Sequence, residues 1–343
     1  LRAEYIFDDQ KITKRDGYNP GASGHLQVSN AYLLLSGAFD GDTEYGFRFN
    51  LTDAAVNPLD YGYGTFWASP LIGFSLGKER VLQGGWHHLN QGYRTHADGL
   101  YARNLAFPDY APVAAIHLRL QGLLTLQAVN DVMQDPSNTL DAAVANRWNK
   151  EQHPTWILAW LGQYGPIKPL FIFGSYDNNR SRYVDAGLRA TLNGLNASLD
   201  YHNDSVSYRM VIDKGEMHED RRLVDVKVST TFNISYQIRN VATPWLFLSR
   251  FERTQASDDL VGSKDRDYNM SSDNPALPGG FSYAFDDNGT VLGIGVDGNT
   301  VGRSWNPFVA YNVTWGKFLK STSSVDTERR QNQVVKFGVL ATI

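Results

Sequence analysis

Residues that could carry out acid–base or metal chemistry lie close together in one polar segment of the chain. His87 and His88 are the only adjacent histidines, and Asp98 and Asp109 lie in the same segment. Imidazole beside carboxylate is the combination that general acid–base catalysts and metal sites use. The alternative is an ordinary solvated pair of side chains, and we favour it over a metal site or a catalytic pair.

Oxygen ligands for a cation occur in a second segment. Asp258, Asp259 and the stretch 265–273 bring several carboxylates together, but their spacing does not match an EF-hand loop, so we favour a solvated loop. The chain contains no cysteine, which excludes disulfides, thiolate catalysis and cysteine-ligated metals. We therefore predict a protein that is not an enzyme and has neither a metal site nor a cofactor.

Charge and hydropathy exclude two broad classes of protein. The net charge is −4 and the pI is about 6.1, which argues against a general nucleic-acid binder. Every apolar run is shorter than the roughly 18–20 residues that a spanning helix needs; an example is 156–161. Arg2 and Glu4 interrupt any leader-like run, so we expect either a cytoplasmic protein or a mature form already cleaved, and the strand pattern favours the second.

Strict alternation of apolar and polar residues predicts an all-β chain. In the clearest case, Tyr45, Phe47, Phe49 and Leu51 fall on one face and Glu44, Gly46, Arg48 and Asn50 on the other. The pattern predicts about sixteen strands, at 2–9, 24–37, 42–52, 63–70, 72–80, 112–120, 122–132, 154–164, 168–178, 182–193, 195–208, 221–238, 244–256, 287–297, 305–318 and 331–343.

The links between these strands alternate in length. Every second link is tight, at Asp40-Gly41, Ser69-Pro70, Gln121-Gly122, Gly165-Pro166, Asn193-Gly194 and Val241–Pro244. Most of the others are long and polar, at 10–23, 81–111, 133–153, 209–220, 257–286 and 319–330, with a short exception near 179–181. A barrel with one short-turn rim and one long-loop rim gives this alternation.

A ring of sixteen strands is too wide for side chains to fill, so the size of the sheet predicts a wet interior and a lipid-facing apolar surface. The charges expected on the inner face are Arg48, Arg119, Arg189, Lys227, Arg250, Glu44, Asp185, Asp200, Asp225 and Glu252. Aromatic residues near strand ends could form girdles at the membrane interfaces: Tyr61, Tyr63, Trp67, Trp156, Trp160, Tyr164, Trp245, Trp305 and Trp315.

The chain resembles a Gram-negative outer-membrane porin of the sixteen-stranded type, and its layout is also similar to that of the phosphate-selective porins. The hairpin 63–80 contains a Gly77-Lys78 step shortly before the long third loop, Val81 to Ala111, and the C-terminal strand 333–343 alternates. The resemblance implies a transmembrane antiparallel barrel over 1–343 with short periplasmic turns and long extracellular loops. It also implies that loop 81–111 folds into the lumen and narrows the pore.

In a porin, charges of the third loop would face charges of the wall across a narrow aqueous neck. The expected constriction residues are Arg94, His96, Asp98, Arg103 and Asp109 in the loop and Arg48, Arg119 and Arg189 on the wall. Opposed charges there would orient polar solutes and set ion preference. Alternatively, these residues are ordinary solvated charges.

The resemblance implies passive diffusion of small hydrophilic solutes and ions through the bacterial outer membrane. The implied partners are membrane lipids, lipopolysaccharide and two further copies of the chain in a homotrimer, with no nucleic acid. The alternatives are a non-transporting surface barrel or adhesin, an outer-membrane hydrolase using His87 and His88, and a soluble β-sandwich.

Overall fold

A computed structural model describes residues 2–13, 21–51, 58–89, 110–130, 155–176, 181–213, 218–239, 241–257, 285–298, 305–319 and 327–341 of the chain. The strands are β1 (Arg2–Thr13), β2 (Gly21–Asn30), β3 (Tyr32–Phe39), β4 (Thr43–Asn50), β5 (Leu59–Trp67), β6 (Ile72–Arg80), β7 (Tyr110–Arg119), β8 (Gly122–Val129), β9 (Thr155–Gly162), β10 (Ile167–Tyr176), β11 (Ser181–Leu192), β12 (Leu195–Asp213), β13 (His218–Tyr236), β14 (Ala242–Ser257), β15 (Phe285–Gly298), β16 (Trp305–Leu319) and β17 (Thr327–Ala341). A short helix, α1 (Gly85–Leu89), follows β6. The helical residues in these ranges form no segment with the length and hydropathy needed to cross a bilayer.

Each predicted segment corresponds to strand, and segment 24–37 is divided at Ala31 into β2 and β3. The long link predicted at 209–220 is wrong at both ends, because β12 and β13 stay paired out to Asp213 and His218. Polar residues such as Arg221 and Arg222 do not interrupt this ladder, because the hydrogen bonds that hold it join backbone groups, which every residue other than proline supplies.

All pairings are antiparallel, and from β3 to β17 each strand pairs with the next one in sequence. β1 pairs with β17 on one side and with β2 on the other, so the order of pairing runs from β3 through β17 to β1 and ends at β2. One step lacks a hydrogen-bonded ladder: β2 pairs with β1 and β3 pairs with β4, and the two strands are joined only through the chain at Ala31. The described sheet is the barrel that alternation predicts, except that its hydrogen bonding is not closed between β2 and β3.

The tight links form hairpin turns on one rim, as predicted, except that Val241–Pro244 is misplaced because β14 already begins at Ala242. Asn193 and Gly194 have φ angles of 49° and 85°, and Gln121 and Gly122 have 42° and 128°. Positive φ at both central residues gives a turn whose twist matches that of the strands it connects. Asn and Gly reach this region at low cost, which explains why the strands end at these residues.

Large apolar side chains cover the outer surface of the sheet. Leu76, Leu188 and Leu199 are 72%, 50% and 52% exposed, whereas their strand neighbours Ser75, Asp185 and Asp200 are buried on the inner side. A water-soluble protein rarely exposes a contiguous surface of this kind. The outer surface therefore suits lipid, as expected for a transmembrane barrel.

Two predictions about which face a residue occupies are wrong. Arg250 and Glu252 lie on the outer face, 2.7 Å apart, because Phe251 is buried inside and alternation sends its neighbours outward. Among the expected girdle residues, an inward group consists of Tyr61, Tyr63, Trp67 and Trp245, while Trp156, Trp160, Tyr164 and Trp315 lie on the outer side or at the rim. Position near a strand end did not reveal the face; the register does.

Residues 81–89 lie inside the barrel. Ring atoms of His87 on α1 contact Phe247 of β14 at a centroid distance of 4.6 Å, while Arg80 at the base of the segment belongs to β6. These two strands lie on opposite sides of the ring of pairings. A segment can join them only across the lumen, so the predicted inward fold of the third loop is confirmed for its described part.

The inner face is not wet throughout, contrary to the prediction. Inward residues of β7–β11 form a buried apolar cluster with Val81, and Leu82, Trp86 and Leu89 pack against it. Its wall members are Ala111, Val113, Ala115, Val129, Ile157, Ala159, Leu170, Ile172 and Tyr183. The physical reason is that the inserted segment brings its own apolar side chains, which cover this sector of the wall and exclude water.

Candidate functional site

Two buried carboxylates hold the inserted segment by its backbone. Asp200 of β12 accepts hydrogen bonds from the N–H groups of Trp86, at 2.7 Å, and His87, at 2.8 Å. Asp185 of β11 accepts one from the N–H of Gly84, at 2.7 Å, and its other oxygen contacts Nδ1 of His202. Carboxylates bound by several N–H groups make strong, directional anchors. The start of α1 is therefore fixed against strands β11 and β12.

Glycines make the close approach of segment and wall possible. Gly84 and Gly85 have φ angles of 85° and 74°, where a side chain would strain the backbone. On the wall, a Cβ added to Gly187 would lie 2.4 Å from Oδ1 of Asp200 and 3.0 Å from Cδ1 of Trp86. The three glycines therefore shape the space in which Asp200 meets the N–H groups.

Side chains of three strands form hydrogen bonds with further backbone groups of the segment. The amide of Gln127 accepts from the N–H of Leu82 at 3.1 Å and donates to the carbonyl of Arg80 at 3.1 Å. The hydroxyl of Tyr183 donates to the carbonyl of Leu82 at 2.7 Å. The guanidinium of Arg80 donates to the carbonyl of Leu89 at 2.6 Å and to that of His88, so it caps the end of α1. Since these backbone groups are paired, and since Gln127 and Tyr183 are buried, residues 80–89 form a fixed part of the inner wall.

An open cavity of about 570 Å³ lies between α1 and the short-turn rim. Its cationic side chains are Arg119, Lys168 and Arg189, and its aromatic ones are Trp67 and Trp86. The guanidinium of Arg119 lies 3.5 Å from the ring centroid of Trp67, and Glu44 bridges the pair, 3.1 Å from Nε1 of Trp67 and 3.9 Å from the guanidinium. The cavity therefore carries net positive charge.

Arg48 occupies a separate aromatic pocket. Its guanidinium lies 4.5, 5.2 and 4.7 Å from the ring centroids of Tyr32, Tyr61 and Tyr110, and its Nε is 2.9 Å from Asp60. Stacked and paired in this way, the guanidinium has little freedom to follow a passing solute. Its field still acts on the lumen, because the side chain points inward from β4.

The expected constriction residues fall into three groups. Arg119 and Arg189 share the cavity, and Arg48 lies apart in its tyrosine pocket. The remaining five, Arg94, His96, Asp98, Arg103 and Asp109, lie outside the described residues. Whether loop and wall charges oppose one another across a neck therefore stays a prediction.

The histidines take structural positions. The ring of His87 contacts Phe247. His88 is 2% exposed, and its own carbonyl accepts a hydrogen bond from the guanidinium of Arg80. His202 is bound to Asp185, which also holds Gly84. In the described ranges no three histidine or carboxylate side chains form a group that could hold a metal ion.

Sequence reasoning placed Asp185 and Asp200 on the inner face but missed their role as anchors, along with those of Gln127, Tyr183 and the two glycines. Two signals were available. The run 156–161 is apolar at every position, as a strand covered on both faces would be. The Gly84-Gly85 pair marks a backbone that needs unusual φ angles at the start of the third loop. Neither signal identifies the partner strand.

No protein-family model and no curated protein matches the sequence. Solved outer-membrane barrels match the fold over nearly the whole chain. The anion-selective porin from Comamonas acidovorans is 10% identical with a TM-score of 0.55, and the match covers 99% of each chain. The outer membrane channel DcaP of Acinetobacter baumannii is 12% identical with a TM-score of 0.55, covering 98% of this chain and 95% of that one.

A trimer form of OmpT, an outer membrane protein of Vibrio cholerae, is 10% identical with a TM-score of 0.54 over 98% of each chain. The present chain thus has the fold of the Gram-negative outer-membrane porins. Together with the apolar outer surface, this fold indicates a location in the bacterial outer membrane.

Proposed function

We propose that this protein is a porin, a water-filled channel through which small hydrophilic solutes and ions diffuse passively. The observation that supports this best is the inserted segment 81–89, which is fixed to the inner wall and has an open, basic cavity beside it. A segment anchored in this way narrows a lumen at a constant position. Charges along such a passage act as a filter and make or break no bond.

The proposal treats residues 1–343 as one barrel domain and the span 81–111 as its constriction loop. Arg94, His96, Asp98, Arg103 and Asp109 would then face wall charges that include Arg119 and Arg189. It also treats the protein as a non-enzyme: His87 packs on Phe247, and His202 of β12 is bound to Asp185, which holds the segment. We further propose a homotrimer in contact with lipid and lipopolysaccharide, by analogy with the OmpT trimer form.

Planar-bilayer recording tests the proposal. Purified, folded protein should insert in discrete steps and give an ohmic current, and sugars above a size limit should fail to swell proteoliposomes. Migration on a gel before and after heating verifies that the barrel is folded. A folded protein that gives no conductance steps would refute the channel proposal without contradicting the barrel fold.

A non-conducting surface barrel is the second candidate, and one observation favours it. The apolar cluster between segment 81–89 and strands β7–β11 fills that sector of the lumen with side chains. If the loops plug the rest, the barrel would present its loops at the cell surface and pass no solute. The bilayer experiment separates the two candidates directly.

A further inference from the structure

Two cations face each other at the base of the basic cavity. Lys168 of β10 and Arg189 of β11 are direct partners in the antiparallel register, and both side chains line the cavity. Like charges directly opposite on neighbouring strands destabilise a sheet. The pairing therefore costs stability unless an anion lies between the two side chains.

The protein itself does not supply that anion from the part of the chain that the structure describes. No carboxylate there forms an ion pair with Lys168 or Arg189. Asp200 lies on the neighbouring strand β12, two positions from Ser198, the register partner of Arg189. Both oxygens of Asp200 already accept N–H groups of the inserted segment. Arg119, the third cation of the cavity, differs because it has Glu44 within 3.9 Å. Lys168 and Arg189 thus present two positive charges to the lumen.

Apolar surface lies next to these charges. Leu123, Leu161 and the indole of Trp86 line the same cavity. The Nε1 of Trp86 donates to the carbonyl of Lys168 at 2.8 Å, which fixes the indole beside the cations. A volume of about 570 Å³ is in the range of small-molecule sites, about 300–1,000 Å³. The combination is that of a site for a molecule with an anionic end and a flat apolar body.

We propose that the cavity binds a small aromatic carboxylate. Its carboxylate lies between Lys168 and Arg189, and its ring packs on Leu123, Leu161 and Trp86. This deepens the proposed function, because it names a solute class that the channel would concentrate at its short-turn rim. The site can nevertheless be measured in detergent without any transport.

Calorimetric titration of the full chain in detergent micelles tests the site with three probes: benzoate, acetate and benzylammonium. Benzoate should bind saturably at one site. Acetate lacks the ring and should bind at least about tenfold more weakly, as expected from the apolar area it leaves unburied. Benzylammonium has the ring with the opposite charge and should give no saturable heat. Equal affinities for benzoate and acetate, or binding of benzylammonium, would overturn the proposal.

The variants Lys168→Gln and Arg189→Gln each remove one cation and should weaken benzoate binding about tenfold or more. Arg250→Gln is the matched control, since it removes a cation from the outer face and should leave binding unchanged. Unchanged binding in both cavity variants would refute the site, and having two variants guards against one that fails to fold.

Thermal unfolding gives a second readout. Without organic anions at low salt, Lys168→Gln should unfold at a higher temperature than the wild type because the repulsion is gone. At the same concentration, benzoate should raise the unfolding temperature of the wild type more than that of the variant; the opposite ranking would contradict the argument. Saturable benzoate binding without conductance would refute the channel and support the binding site. Conductance without benzoate binding would support the channel and refute the binding site.

Discussion

Removing the carboxylate of Asp200 should release the inserted segment from the wall. Asp200 is 4% exposed and accepts two N–H groups, from Trp86 at 2.7 Å and His87 at 2.8 Å. Asp200→Ala removes both bonds and leaves the two N–H groups without these acceptors. Asp200→Asn keeps one acceptor oxygen but places an NH₂ group against the other N–H.

The magnitude follows from the two contacts. A hydrogen bond to a charged group contributes about 1.5–3 kcal/mol, so Asp200→Ala should weaken the anchoring by about 3–6 kcal/mol. Since about 1.4 kcal/mol is a factor of ten, the equilibrium between anchored and released segment should shift by about 10²–10⁴. Asp200→Asn should cost about half as much in free energy.

Single-channel recording measures the effect. A released segment samples many positions in the lumen, so the open-channel current should become noisy. The mean conductance should differ from that of the wild type by a smaller amount in Asp200→Asn and by a larger amount in Asp200→Ala. Glu44→Gln is the matched control, because it removes a carboxylate from the lumen that binds Trp67 and touches no part of the segment. It should alter ion preference through its charge and leave the noise unchanged.

Quiet currents in folded Asp200→Ala, with the conductance of the wild type, would refute the anchoring role of Asp200. Equal noise in Glu44→Gln and Asp200→Ala would show that lumenal charge, rather than the position of the segment, controls the current. The two outcomes point to different errors, since the first concerns the contacts and the second concerns the way in which the lumen conducts.

Two further substitutions probe the same junction. Gly187→Ala should lower the thermal unfolding temperature and raise current noise, because the new Cβ would lie 2.4 Å from Oδ1 of Asp200, and overpacking of this kind costs about 1–3 kcal/mol. Gly64→Ala is its control, since the nearest atom to a Cβ there is 4.0 Å away, and equal losses in both variants would contradict the steric argument. Gln127→Leu should destabilise the folded barrel by about 2–5 kcal/mol in urea unfolding. The reason is that the N–H of Leu82 and the carbonyl of Arg80 both lose their hydrogen-bond partner. A loss below about 0.5 kcal/mol would mean that water replaces the amide.

The fold was predictable because its signals are local. Alternation at 44–51 shows one greasy face and one polar face, and Asn193-Gly194 marks a hairpin turn through its own φ preferences. Such features depend on residues within a few positions of each other. They were sufficient for the approximate number of strands and for the alternation of a short-turn rim with a long-loop rim. The inward course of the third loop was implied only by the resemblance to porins.

The face of a charged or aromatic residue at the end of a strand was less predictable. Arg250 and Glu252 were expected inside because they are charged, yet the register of Phe251 sends them outward, where they pair with each other beyond the apolar part of the strand. Trp67 was expected at the membrane interface, yet it lies under Arg119 in the lumen. Residue type alone does not determine which face of the sheet a residue occupies at a strand end, because both faces there meet water or headgroups.

The candidate site was beyond the reach of sequence because its contacts join distant parts of the chain. The sequence by itself determined an antiparallel barrel with an apolar outer face, a polar inner face and a long third loop. Only the tertiary structure decided that Asp200 holds Trp86, more than a hundred residues earlier, and that Lys168 faces Arg189. The curvature of the sheet brings Asp200 to Trp86, and the strand register places Lys168 opposite Arg189. Neither contact produces a sequence pattern within a few residues of either partner.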